Sequence, residues 1–147
     1  MTTTTETTTT ARSDGAVKIV GIITLVAGVI MILAGAATWL QVTNELKDQR
    51  ITVAEDASMY AGKQVSGPLT AYAQAEIINK HALEATGGKT YAELDREDPL
   101  RQTAMTASFL RASLYTSVVA YGVAAMAIGL GILNILLGWV LTRLARR

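Results

Sequence analysis

A chain of 147 residues that is 50% hydrophobic and only 17% charged is too apolar for a small soluble domain with ordinary loops. Its formal net charge of +1 offers no concentrated basic surface for phosphate, which argues against nucleic acid as a partner. The sequence has no cysteine, so disulfides, thiol nucleophiles, iron–sulfur ligation and lipid attachment through sulfur are excluded.

Met1 to Thr10 is nearly all threonine, too polar to offset the entropy of ordering, and residues 1–14 are expected to form a disordered cytoplasmic tail. Ser13, Asp14 and Gly15 then supply helix-start chemistry. The apolar run that follows extends to Leu40, with Lys18 at its edge and no charge further in. At about 1.5 Å per residue it is long enough for a hydrocarbon core about 30 Å thick, which predicts a first transmembrane helix over 15–41. Ala34-Gly35-Ala36 also fits a signal-peptide cleavage site. Apolarity continues past it through Ala37, Leu40 and Val42, and Trp39 falls where an interfacial anchor belongs. The run is therefore read as an uncleaved span, with a cleaved signal peptide as the alternative.

Residues 42–98 form the expected loop. Gln49 to Ser66 reads as an irregular or short extended connection. Gly67-Pro68 opens and Gly87-Gly88 closes a helix over about 68–86. Thr90 and Glu93 have capping-box spacing, and Asp98-Pro99 supplies an N-cap with proline in the first turn. Neither glycine nor proline interrupts Leu100 to Tyr121. One helix over 99–142 is therefore predicted, a stalk of about four turns continuous with a second span. Arg143, Arg146 and Arg147 lie in the basic end at 143–147, and Arg12 and Lys18 precede the first span. Both termini are thus expected in the cytoplasm of a two-span plasma-membrane protein with its loop outside, although Arg111 runs against that asymmetry. The predicted fold class is an all-α membrane protein, a two-transmembrane-helix hairpin with a mostly helical extracytoplasmic loop.

Small residues punctuate both spans. Gly21, Gly28 and Gly35 recur every seven residues with Thr24 and Thr38 near the same face, and Ala120, Ala124, Ala127, Gly131, Asn134 and Gly138 alternate in steps of four and three. Close backbone approach and side-chain hydrogen bonds decide helix packing in lipid, so these stripes predict that the spans pack together. Asn134 is the single amide deep in either span, and it is expected to face protein.

The loop offers little chemistry. His81 has Glu84 three residues on and Glu76 five residues back, with only Glu84 placed to share its helix face. One histidine with one carboxylate falls short of the ligand sets of zinc or non-haem iron. Gly88-Lys89-Thr90 resembles the end of a phosphate loop, but Leu83 stands where that loop needs glycine. Asp95, Glu97 and Asp98 lie beside Arg96 and Arg101 as a solvated charged turn. No metal, cofactor or catalytic residue is expected. Met59, Tyr60, Tyr72, Ile77, Ile78, Leu83 and Tyr91 are a small stock of core, so the loop is expected to lean on the stalk around Met105, Phe109 and Leu110, on a second copy, or on another membrane protein. Tyr72, Glu76, His81, Glu84 and Phe109 are the candidates for such contacts.

The segments Ile51 to Ala57, Val65 to Pro68, Ala71 to Ile78, His81 to Ala92 and Ser108 to Leu114 resemble a group of small two-span actinobacterial membrane proteins, and the likeness covers nearly everything after the threonine tail. Members commonly carry the label "aromatic ring-opening dioxygenase". A single histidine cannot build the iron site that such chemistry uses. The resemblance implies an envelope protein with no catalytic role to transfer. The expected function is a non-catalytic accessory or structural subunit of a larger membrane complex, such as a respiratory assembly. A self-assembling small pore with Asn134 near its axis is the alternative, and an enzyme completed by a partner or cofactor comes third. Expected partners are the lipid bilayer and other integral membrane proteins or further copies of the chain.

Overall fold

The computed structural model describes residues 8–146, and the part of the expected tail before Thr8 lies outside them. Three helices follow in order, α1 over Thr8–Asp48, α2 over Pro68–Ala85 and α3 over Arg101–Leu144. No β-strand occurs among the described residues. Two compact units divide the chain, one of them Thr38–Val123, the other taking α1 up to Ala37 and α3 from Ala124.

In the unit built from the early part of α1 and the late part of α3, the two helical segments run antiparallel. Gly21 faces Gly138, Gly28 faces Gly131 and Gly35 faces Ala124, at steps of seven residues on both sides. The backbones touch. A Cβ added at Gly28 would lie 2.6 Å from the Gly131 carbonyl oxygen, and one at Gly138 would lie 2.5 Å from that of Gly21. Branched side chains close over these contacts, Ile135 over Gly28 and Ile32 over Gly131. The small residues are the buried ones, while Ile23, Ile30, Leu33, Met126, Leu133 and Leu137 are exposed. Only 17% of the most apolar stretch of each helix is buried by the chain itself, where the core helix of a soluble domain would be mostly covered. Both helices are long and apolar enough to cross a membrane.

The unit over Thr38–Val123 has its own core of Leu46, Val53, Val65, Ala71, Ala75, Leu114 and Tyr121. α1 runs on to Asp48, beyond the expected end at residue 41, because no glycine or proline stops it and Val42 and Leu46 still pack inward. Arg50 at φ 53° then turns the chain out of the helix. At the other end α1 begins at Thr8, ahead of the expected start at Ser13 to Gly15, so residues 8–14 of the expected disordered tail are helical.

The connection to α2 folds on itself through an isolated antiparallel bridge between Thr52 and Gln64. Val53 N–H donates to Lys63 at 2.9 Å and Val65 N–H to Ile51 at 2.8 Å, which turns both valines into the core. Thr70 Oγ1 then accepts the N–H groups of Ser66 and Gly67 at 3.1 and 3.2 Å, fixing the start of α2. Thr86 and Gly87 end it, the latter at φ 63°. Thr90 N–H donates to Glu93 Oε2 at 2.8 Å, and Leu100 N–H donates to Asp98 Oδ1 at 2.8 Å just before α3. The Thr90 N–H bond, foremost, holds the Glu93 carboxyl below its ordinary pKa.

Candidate functional site

A cluster of polar side chains lies where the bridged connection meets α2. Gln74 Oε1 accepts the N–H of Ala54 at 3.1 Å, which brings Asp56 against the next turns of the helix. Asp56 Oδ2 is 2.8 Å from His81 Nε2 and 3.4 Å from Lys80 Nζ. The His81 hydrogen bond is the main reason that the Asp56 carboxyl sits below its ordinary pKa. On the same side, Asp56, Met59, Tyr72, Glu76, Ile77 and Lys80 line an open cleft of about 440 Å³.

The expected partner of His81 was Glu84, and here the structure differs. Glu84 lies 3.9 Å from Lys80 one turn back, while His81 reaches across to Asp56. A carboxylate across a fold offers a direct line to the ring, whereas one three residues on must bend along the helix surface to meet it. Glu76 accepts a hydrogen bond from Tyr115 on α3, and Tyr72 meets Tyr115 edge-on with centroids 5.9 Å apart. Phe109 is not among the residues lining the cleft and is 69% exposed.

His81 and Asp56 together form the pair that could orient a general base, but both are about half exposed. No serine or threonine hydroxyl hydrogen-bonds to His81 among the described residues, and none of their His, Asp and Glu side chains gather in threes around a metal-sized site. The arrangement tethers the bridged connection to α2.

Asn134 lies on the α1-facing side of α3. Its Nδ2 donates to Leu130 O at 2.9 Å and contacts Met31 Sδ at 3.7 Å. Its amide is thus turned towards the neighbouring helix. Sequence reasoning passed over Tyr121, whose ring is almost fully buried, stacks edge-on against Trp39 at 4.7 Å, and carries its hydroxyl 2.8 Å from Thr43 Oγ1. Its signal was present in the sequence, as an aromatic with a polar tip near the end of an apolar run.

These features define the class as an all-helical protein with two helices long and apolar enough to cross a membrane. Compared with protein-family models, with curated proteins and with solved structures, the chain finds no match. The site and the packing therefore carry the functional reading on their own.

Proposed function

We propose that the protein is a two-span envelope protein acting as a non-catalytic accessory or structural subunit of a larger membrane assembly. Both termini are on the cytoplasmic side and residues 42–98 are outside, consistent with Arg143 and Arg146 after the second span. The observation that carries the reading is the use made of the small-residue stripes. Gly21, Gly28 and Gly35 are spent on contacts with Gly138, Gly131 and Ala124 of the same chain. Those faces are occupied within the chain, which supports a subunit over a ring of copies around a pore. What the helices leave outward is bulky and apolar, including Ile23, Ile30, Leu33, Leu133 and Leu137. Such a surface suits lipid or the flank of a larger integral protein.

The experiment is extraction of the tagged protein from its native membrane in mild detergent, native separation, and mass spectrometry of what travels with it. A reproducible, near-stoichiometric set of integral membrane proteins is the expected result. Migration of the chain only with itself would overturn the accessory role.

A further inference from the structure

Two counts along the sequence, one on each long helix, end at residues that touch. A membrane-crossing helix needs about 20 apolar residues, and that length counted forward from Ile19, just after Lys18, reaches the region of Trp39. The same length, about 20 residues counted back from Leu141 ahead of Arg143, reaches the region of Tyr121. Trp39 and Tyr121 stack edge-on at 4.7 Å. Trp and Tyr are enriched at the headgroup level, and here a buried Tyr121 holds its hydroxyl against Thr43 Oγ1 while Trp39 packs partly buried beside it. The two counts put this pair at the level expected for an edge of the hydrocarbon.

Tyr121 also sets the height of the start of α2. Its hydroxyl lies 3.5 Å from the carbonyl oxygen of Ser66, and α2 begins two residues later at Pro68. The helix then climbs α3 in the antiparallel sense, with Tyr72 and Glu76 meeting Tyr115. Leu69 is 62% exposed and Tyr72, one turn further on the same face, is 44% exposed. Between Ser66 and Ala75 there is no acidic or basic side chain, whereas Glu76, Lys80, His81 and Glu84 crowd the later turns. The polarity of α2 rises with distance from the level of Tyr121. Nearby on α3, Val119 is exposed as well.

We propose that the first turns of α2 rest on the outer surface of the bilayer, with Leu69 and Tyr72 entering the boundary between headgroups and acyl chains. This inference rests on the two-span reading above. The occupant of the patch is lipid, because the uncharged turn lies at the height of the aromatic pair and the exposed apolar surface continues along α3 through Val119. A helical turn that exposes Leu69 and Tyr72 and carries no charge can rest at that depth without burying a charged side chain. Its role is to hold the start of α2 at the bilayer surface.

The absence of cysteine makes the test direct, since each single substitution introduces the only thiol in the chain. Leu69→Cys, Glu84→Cys and Leu130→Cys are each labelled with an environment-sensitive fluorophore in phosphatidylcholine proteoliposomes and challenged with iodide, with lipid brominated near the headgroup, and with lipid brominated deep in the chain. The Leu130 label should lose fluorescence to the deep lipid quencher, the Leu69 label to the shallow one, and the Glu84 label to iodide alone. A Leu69 label that behaves like the Glu84 label overturns the proposal. So does one shielded from iodide and both lipids, which would mean a protein covers it. Iodide quenching at Leu130 instead removes the two-span reading itself.

Discussion

Asp56 receives two donors from α2, His81 Nε2 at 2.8 Å and Lys80 Nζ at 3.4 Å, while Glu84 faces Lys80 from one turn further on. The carboxyl pKa is depressed first by the His81 hydrogen bond and, among the smaller causes, by Lys80. A carboxyl depressed in the folded state contributes stability above its unfolded pKa and loses it as pH falls through the folded one. The tether should thus hold at neutral pH and loosen below about pH 4, where an ordinary aspartate takes up a proton. The measurement is thermal midpoint against pH for the natural chain and for Asp56→Asn. A small advantage of the natural chain near neutrality should close as the pH is lowered, because both groups are solvated and the interaction is screened. A constant gap across that range would show that Asp56 acts through packing instead. The His81–Asp56 pair also marks a limit of reading from sequence. Glu84 was visible because helix spacing is local, but Asp56 comes to His81 only after the Thr52–Gln64 bridge has folded the chain back.

Among the elements, α2 was the most legible, since Gly67-Pro68 and Gly87-Gly88 punctuate it in the sequence and it spans Pro68–Ala85. The end of α1 was not, because its stop comes from Arg50 leaving the helix after Leu46 has found a core, and no local breaker announces that. The glycines of α3 allow a sharper test of packing than either boundary. A Cβ on Gly131 would lie 2.7 Å from the Gly28 carbonyl oxygen, whereas one on Gly129, two residues away, would meet nothing within 4 Å. Backbone cannot yield as a flexible side chain can. Gly131→Ala and Gly28→Ala should each destabilise the helix pair by about 1–3 kcal/mol, the range for overpacking a tight contact. Gly129→Ala should be neutral or slightly stabilising, since alanine is the better helix former. Unfolding in mixed micelles followed by circular dichroism distinguishes the two, and equal effects at Gly129 and Gly131 would deny the close contact. Seven-residue spacing of glycine pointed to a packing face. On α3 the stripe held Ala124, Gly131 and Gly138, and which of them meets which glycine of α1 is set by register, which composition does not encode.

For the molecule as a whole, the choice between subunit and pore turns on Asn134. A pore lined by this amide needs its donors free to meet a passing ion or water. In the structure one amide hydrogen goes to Leu130 O at 2.9 Å along the helix and Nδ2 also contacts Met31 Sδ at 3.7 Å across the pair. The first bond stays within α3, and the second turns the amide of the partly buried Asn134 towards α1. Replacing it by leucine should therefore cost about 1 kcal/mol, the usual worth of a polar contact between helices in lipid. It should leave permeability untouched, so proteoliposomes loaded with a potassium-sensitive or chloride-sensitive dye should leak no faster with the natural chain than without protein, and Asn134→Leu should not change that. A leak that depends on Asn134 would mean that the amide turns away from Met31 and that the glycine faces separate when copies assemble. With a quiet bilayer, the chain's outward surface of Ile23, Ile30, Leu133 and Leu137 is left as the side on which other membrane proteins can act.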